Sequence, residues 1–295
     1  MSDRPQRDKV SGRVYLDLQN RARRQDRPTD ELFVLYVLER FLFRLSVSPH
    51  RERLVLKGGM LLAAFEERRA TRDVDLLARG VSNDVDEVAA RVREVLAIEV
   101  EDGVDFDSDR LVARVIRDED IYAGIRIVVP ARIDRAQLSL PVDVNVGDPV
   151  TPAPVEVEYP ALLAEPFTLV GYPIETVLAE KIVTMIERGD ATTRERDFAD
   201  VVLLTSRHAI DGVTLSAAIR ATAAHRQTEM RPLREVLVTL PLARQSDWER
   251  FVSRTGVDAP ATYTEVIARV AEFADPILAG EISAGRWDPV ERTGH

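Results

Sequence analysis

The sequence contains no cysteine and very little lysine. Because cysteine is absent from all 295 residues, neither a disulfide nor a thiolate zinc site can hold the fold together, which fits a reducing cytoplasm. Only three of the 40 basic residues are lysines, namely Lys9, Lys57 and Lys181. Arginine is therefore the default basic residue of this chain, so a position that keeps a lysine is a candidate for a specific role.

Long hydrophobic runs are also missing. No segment approaches the roughly 18 uninterrupted apolar residues that a membrane-spanning helix needs, and the polar N-terminus does not look like a signal peptide. We therefore expect a cytoplasmic protein with no membrane partner. The net charge of −10 argues against a general nucleic-acid coat protein, although arginines gathered on one face would still allow RNA binding.

What the sequence does contain is an apolar run that ends in two glycines and is followed by paired aspartates. Residues 53–56 indicate a strand, and Gly58 and Gly59 lead into a short apolar helix, whose first N–H groups could receive a phosphate. Asp73 and Asp75 then lie on a second apolar run, where strand alternation points both to one side. Two carboxylates on one face repel each other unless a cation lies between them. We predict a divalent-metal site beside a polyphosphate pocket.

A third aspartate, Asp143, interrupts the apolar strand pattern of residues 138–146. It could lie on the exposed face of an antiparallel strand, or it could join Asp73 and Asp75 as a third metal ligand. The pattern leaves both open, and we include Asp143 in the predicted metal site.

Two charged residues lie on the apolar stripes of predicted helices further along the chain. Lys181 falls within the stripe of residues 174–188, and Asp197 falls within the stripe of the next helix. A charge in such a place is costly unless it meets an opposite charge or, for a lysine, its long side chain carries the ammonium group out to solvent. A buried ion pair between the two would be a purely structural explanation, and the functional alternative is that both face the site at the sheet.

A proline-rich connection separates two regions of different pattern, through Pro152, Pro154, Pro160 and Pro166. We predict a sheet domain with N-terminal helices over residues 1–165. Residues 166–295 are predicted to form a helical domain that contributes Lys181 and Asp197 to the site.

Taken in order, these motifs resemble those of the AbiEii-family nucleotidyltransferase toxins, which include the mycobacterial MenT toxins and are related to type IV toxin–antitoxin systems. The resemblance covers roughly residues 50–205 and rests on Gly58-Gly59, Arg69-Ala70-Thr71-Arg72-Asp73-Val74-Asp75, Glu180-Lys181 and Arg196-Asp197-Phe198-Ala199-Asp200. One departure is Met60, where many nucleotidyltransferases have a serine or threonine. A phosphate contact at this turn would therefore rely on backbone N–H groups.

The resemblance implies an α+β fold, with a DNA polymerase β-like nucleotidyltransferase core built on a mixed sheet and an α-helical C-terminal domain. It implies a Mg²⁺-dependent toxin that transfers a nucleoside monophosphate from an NTP such as ATP to an RNA acceptor, the tRNA 3′ end, and so blocks translation. A cognate antitoxin of the AbiEi or MenA type is the implied partner. We expect the toxin itself to be a monomer.

Residue roles follow from the resemblance by matching position. Asp73 and Asp75 hold the metal, Lys181 contacts the nucleotide phosphates, and Asp197 completes the catalytic set. In some relatives the partner protein silences the toxin by phosphorylating the hydroxyl residue at the position of Thr71. The predicted nucleotide-binding residues are Lys57, Gly58, Gly59, Arg69, Thr71 and Lys181.

Two other functions could use the same residues. A small-molecule nucleotidyltransferase of the antibiotic-modifying type shares this core. A non-catalytic nucleotide-binding module would keep the pocket without the reaction. The sequence leaves open which nucleotide is used, which tRNAs are modified and how the antitoxin acts.

Overall fold

The chain divides into two units. The strands predicted in the first half of the sequence form the sheet of the first unit. The computed structural model describes residues 5–67, 70–117, 123–280, 285–289 and 293–294. The first unit comprises Met1–Gly147 and Val155–Gly171, and the second comprises Asp148–Pro154 and Tyr172–His295.

The first unit is a mixed sheet with helices packed against it. Its elements are α1 (Val10–Arg24), α2 (Thr29–Ser46), β1 (Leu54–Lys57), α3 (Gly58–Leu61), β2 (Val74–Ala78), α4 (Val85–Leu96), β3 (Val104–Phe106), β4 (Val112–Arg117), β5 (Ala123–Ile133), β6 (Ala136–Val146), β7 (Val155–Tyr159) and β8 (Phe167–Gly171). The strand order is β3–β5–β6–β2–β1–β8–β7, with β4 also paired to β5. The β2–β6 and β1–β8 pairs are parallel, and the other pairs are antiparallel.

The central strands separate an apolar face from a polar face. Val74 and Leu76 of β2 are fully buried, as are Val142 and Val144 of β6. Helix α2 packs against β6 and β8. Successive side chains of a strand point to opposite faces. Asp75, between Val74 and Leu76, and Asp143, between Val142 and Val144, therefore point away from that core.

The second unit is mainly helical. Its elements are α5 (Ile174–Arg188), α6 (Glu195–Arg207), β9 (Ile210–Asp211), α7 (Gly212–Arg226), α8 (Leu233–Val236), α9 (Leu240–Ala243), α10 (Gln245–Thr255), α11 (Tyr263–Leu278), β10 (Arg286–Asp288) and β11 (Thr293–Gly294). Helix α11 packs on α6, and α5 packs on α7. The rings of Trp248 and Tyr263 stack with centroids 5.1 Å apart. The predicted fold class, a mixed sheet followed by a helical C-terminal region, is confirmed.

Over the described part of the chain, no helix combines the length and the apolar composition that crossing a membrane would require.

Candidate active site

Four charged side chains lie in one row across the middle of the first unit's sheet. Backbone pairing sets Lys57 of β1 opposite Asp75 of β2, Asp75 opposite Asp143 of β6, and Asp143 opposite Arg126 of β5. Directly paired residues place their side chains on the same face of a sheet. These four residues, two neighbouring carboxylates with a cation on either side, are called the charged row. Arg114 of β4 lies opposite Arg126 and extends the line of charges.

Asp75 lies against the glycine turn. Gly58 has a φ of +66°, and a Cβ at this position would fall 2.0 Å from Oδ2 of Asp75, so glycine is what allows the turn to approach the carboxylate. The N–H of Gly59 donates a hydrogen bond to the same carboxylate. In the structure, the glycine turn thus orients Asp75. The predicted contact between the glycine turn and a phosphate stays a prediction.

The environment of Asp75 opposes its ionisation. Burial raises the pKa of Asp75 to about 6, and the negative charges of Asp73 and Asp143 contribute in the same direction. The charge of Lys57 and the hydrogen bond from Gly59 act in the opposite direction without cancelling the shift. A further cation beside Asp75 would favour its ionised form.

Asp73 lies immediately before β2, whose first residue is Val74. Its Oδ1 accepts a hydrogen bond from the Thr71 hydroxyl at 3.3 Å, and Thr71 is buried. Thr71 is thereby next to a predicted metal ligand. Arg69 lies outside the described residues, so its predicted role in nucleotide binding stays a prediction.

Asp143 is held by Arg126, a residue that the sequence patterns did not single out. Nε of Arg126 donates to Oδ1 of Asp143 at 2.7 Å, and a terminal nitrogen donates to Oδ2 at 2.5 Å. Hydrogen bonding to Asp143, together with the charges of Asp143, Asp73 and Asp75, raises the pKa of Arg126. Asp143 is itself buried, which disfavours the alternative of an exposed strand face.

The three carboxylates fit Mg²⁺ by their chemistry, because this ion prefers carboxylate and phosphate oxygens. They do not form a ready-made cage, since no three acidic or histidine side chains of the described residues are arranged to hold a metal ion. Each carboxylate instead accepts from a donor of the protein: Asp73 from Thr71, Asp75 from the Gly59 N–H and Asp143 from Arg126. A metal ion could share these carboxylates with their donors, because an ionised carboxylate has lone pairs for more than one partner, but the three side chains would have to rearrange to bind one ion together.

In the second unit, Lys181 lies between two aspartates. Its ammonium group donates to Oδ1 of Asp197 and to Oδ2 of Asp200, both at 2.7 Å. Burial alone would raise the pKa of Asp197, but the charge and hydrogen bond of Lys181, followed by the charges of Arg194 and Arg196, lower it. The ion pair considered as a structural alternative is thus present. Asp200 was not predicted as a site residue, although it follows Asp197 by about one helical turn.

The predicted site residues fall into two groups. One group lies in the first unit and the other in the second, and their joint action in one reaction stays a prediction. The first group contains Lys57, Gly58, Gly59, Thr71, Asp73, Asp75 and Asp143, and the second contains Lys181 and Asp197.

Carboxylates on adjacent central strands beside a glycine turn agree with the nucleotidyltransferase class that the resemblance implies, and comparison with known families shows this class. Residues 40–275 match the family model described as nucleotidyl transferase AbiEii toxin, type IV TA system. The chain belongs to this family, which confirms the predicted enzyme class. Membership in a type IV toxin–antitoxin family implies a cognate antitoxin as partner.

Solved structures give more distant likenesses. JHP933 from Helicobacter pylori is 13% identical, with 85% of this chain and 93% of that chain covered and a TM-score of 0.49. A protein from H. pylori that is assigned as a nucleotidyltransferase is also 13% identical, with 85% and 96% covered and a TM-score of 0.46. Likenesses this distant do not bear on function. No curated protein matches the sequence.

Proposed function

We propose that this protein is a toxin that transfers a nucleoside monophosphate from an NTP to the 3′ end of tRNA and thereby blocks translation. Family membership supports the toxin and the nucleotidyltransferase activity. The observation that carries the mechanism is the placement of three aspartates: Asp75 and Asp143 lie directly opposite each other on adjacent strands, and Asp73 lies immediately before β2. The tRNA acceptor rests on the resemblance to the MenT toxins. An enzyme with this acceptor works in the cytoplasm.

Asp73, Asp75 and Asp143 are the residues that would hold Mg²⁺. When bound, Mg²⁺ offsets the charge of the phosphates and aligns the attacking and leaving oxygens. The protein contributes orientation, because the backbone of Gly58 and Gly59 fixes the Asp75 carboxylate.

The chemistry needs one proton acceptor. The acceptor 3′-hydroxyl oxygen forms a bond to the α-phosphorus, the bond from that phosphorus to the bridging oxygen breaks, and pyrophosphate leaves. An ionised aspartate of the site can take the hydroxyl proton. Lys57, buried at one end of the charged row, and Lys181 are the cations that we assign to the nucleotide phosphates.

The test is incubation with each labelled NTP, Mg²⁺ and total RNA, followed by sequencing of the extended 3′ ends. We expect label on tRNA 3′ ends that disappears with EDTA. Label on an aminoglycoside but not on RNA would instead show a small-molecule transferase. Nucleotide binding without any transfer would show a binding module.

Asp73→Ala should abolish both labelling and growth inhibition while leaving the melting temperature close to that of the wild type. The carboxylate is lost from the metal site, but Asp73 lies outside the strand, and among the described residues the fold loses one hydrogen bond, from Thr71. Asp105→Ala is the matched control, since Asp105 forms an exposed ion pair with Arg132. A folded Asp73→Ala variant that still labels tRNA would refute this mechanism.

For the antitoxin, we propose that it acts at Thr71. A phosphate on this hydroxyl would add about −1.5 to −2 charges beside Asp73, and would oppose nucleotide binding. Mass spectrometry of the toxin co-expressed with its antitoxin is expected to show a phosphate on the peptide that contains Thr71. Neutralisation with an unmodified peptide would show an antitoxin that acts by binding.

A further inference from the structure

Arg126 belongs to the charged row but has no role in the reaction as described so far. Its guanidinium contacts both oxygens of Asp143, at 2.7 and 2.5 Å. The side chain of Arg126 is 36% exposed, whereas that of Asp143 is 11% exposed. The arginine can therefore move toward solvent or a ligand, while the aspartate stays in the sheet.

A metal ion that takes Asp143 as a ligand needs an oxygen that Arg126 now contacts. An ionised carboxylate can accept from more than one partner, but a guanidinium and a divalent cation on the same carboxylate repel each other. Arg126 therefore neutralises Asp143 and also competes with a metal ion for it.

The substrate offers Arg126 another partner. A guanidinium binds a phosphate through the same two-pronged hydrogen bonding that it uses for a carboxylate. Arg126 is set directly opposite Asp143, and Asp143 is set opposite Asp75. Any triphosphate bound to a metal ion on these aspartates would lie on the face of the sheet to which Arg126 belongs.

We propose that Arg126 exchanges between Asp143 and the triphosphate of the substrate, so that a metal ion gains full access to Asp143 only when the nucleotide arrives. This inference rests on the proposed function. It predicts opposite consequences when the guanidinium is removed. Binding of the metal ion alone should become tighter, because its competitor is gone. Nucleotide binding should become weaker, because a phosphate contact is lost. If Arg126 were purely structural, its removal would not raise the affinity for the metal ion while lowering the affinity for the nucleotide.

The experiment uses Mn²⁺ as the probe, with free Mn²⁺ measured by electron paramagnetic resonance in the absence of nucleotide. Arg126→Gln removes the charge but keeps hydrogen-bonding ability, and it should bind Mn²⁺ about tenfold tighter than the wild type. Adding Asp143→Asn to this variant should abolish the gain. The control is Arg132→Gln on the same strand, because Arg132 pairs at 2.9 Å with the exposed Asp105, and it should leave Mn²⁺ affinity unchanged.

Nucleotide affinity is measured separately with the α,β-methylene analogue of each NTP in the presence of Mg²⁺. Arg126→Gln should weaken it about tenfold through the lost charged contact. Arg126→Lys keeps the charge but cannot contact both carboxylate oxygens as a fork, so its Mn²⁺ affinity should lie between those of the wild type and Arg126→Gln. If Arg126→Gln does not fold, the lysine variant decides the question.

Equal or weaker Mn²⁺ binding by the Arg126 variants would overturn the inference. In that case the wild type would still bind the analogue and transfer nucleotide, so the proposed function would stand. Absence of transfer and of nucleotide binding in the wild type would instead refute the proposed function, and with it the exchange of Arg126.

Discussion

Asp75→Asn should make the protein more stable at neutral pH in the presence of EDTA, while removing its activity. In the folded state the pKa of Asp75 is raised from 3.8 to about 6. The folded protein therefore binds this proton more tightly than the unfolded chain does, and wild-type stability falls as the pH rises from about 4 to about 6. At about 1.4 kcal/mol for each pKa unit, the loss amounts to roughly 3 kcal/mol. Asparagine does not ionise, and its side-chain oxygen can still accept from the Gly59 N–H.

The two proteins should thus be similar in stability below about pH 4, and Asp75→Asn should be more stable by about 3 kcal/mol above about pH 6. Tryptophan fluorescence is unsuitable as the readout, because Trp248 and Trp287 both lie in the second unit. Hydrogen exchange by mass spectrometry on peptides that contain β1 and β2 reports the stability of the correct unit.

Asp105→Asn is the control for this experiment, since its carboxylate is exposed on β3. It should change stability by less than about 0.5 kcal/mol at every pH. A stability difference between wild type and Asp75→Asn that does not vary with pH would refute the electrostatic account of the site. So would a less stable Asp75→Asn protein at pH 7.5.

Two further substitutions probe the turn and the second unit. Gly58→Ala should destabilise β1 more than Gly80→Ala does, by at least about 1 kcal/mol. Both glycines have a positive φ, +66° at Gly58 and +63° at Gly80. A Cβ at Gly58 would lie 2.0 Å from Asp75, whereas a Cβ at Gly80 would meet nothing within 4 Å. Equal losses of stability in the two variants, measured by hydrogen exchange, would contradict the close contact. Lys181→Met removes the cation shared by two buried aspartates and should destabilise the second unit by about 3 kcal/mol, measured by tryptophan fluorescence in urea. An unchanged urea midpoint would show that the ion pair does not support this unit.

Short-range patterns were sufficient for much of the fold. The helix predicted over residues 174–188 is α5 (Ile174–Arg188), because its apolar spacing, Pro173 before it and Gly189 after it all act within a few residues. The strand before Gly58 and the strand around Asp75 were found for the same reason, although β2 begins at Val74 and leaves Asp73 just outside it.

Features set by distant parts of the chain were not predictable in this way. Arg126 was visible as a charge within a strand pattern, but the register that sets it opposite Asp143 depends on how β5 pairs with β6. Another example is the break between the short helices α8 (Leu233–Val236) and α9 (Leu240–Ala243), which depends on a residue far away in the sequence. The Asp190 carboxylate accepts from the N–H groups of Thr239 and Leu240 at 3.0 and 2.9 Å, and a carboxylate at that point favours the start of a new helix.

The ion pair of Lys181 supports two interpretations that stability measurements alone do not separate. A buried lysine between Asp197 and Asp200 can stabilise its own unit, and a lysine that binds phosphates during catalysis could rest on the same aspartates between turnovers. Replacing a whole buried ionic group by neutral residues is often nearly neutral for stability, while removing one partner is not. The combination of Lys181→Met with Asp197→Asn and Asp200→Asn should therefore recover much of the stability lost in Lys181→Met. Full recovery of tRNA labelling in the combined variant would make both Lys181 and Asp197 structural, whereas a stable but inactive variant would assign the Lys181–Asp197 pair to the reaction.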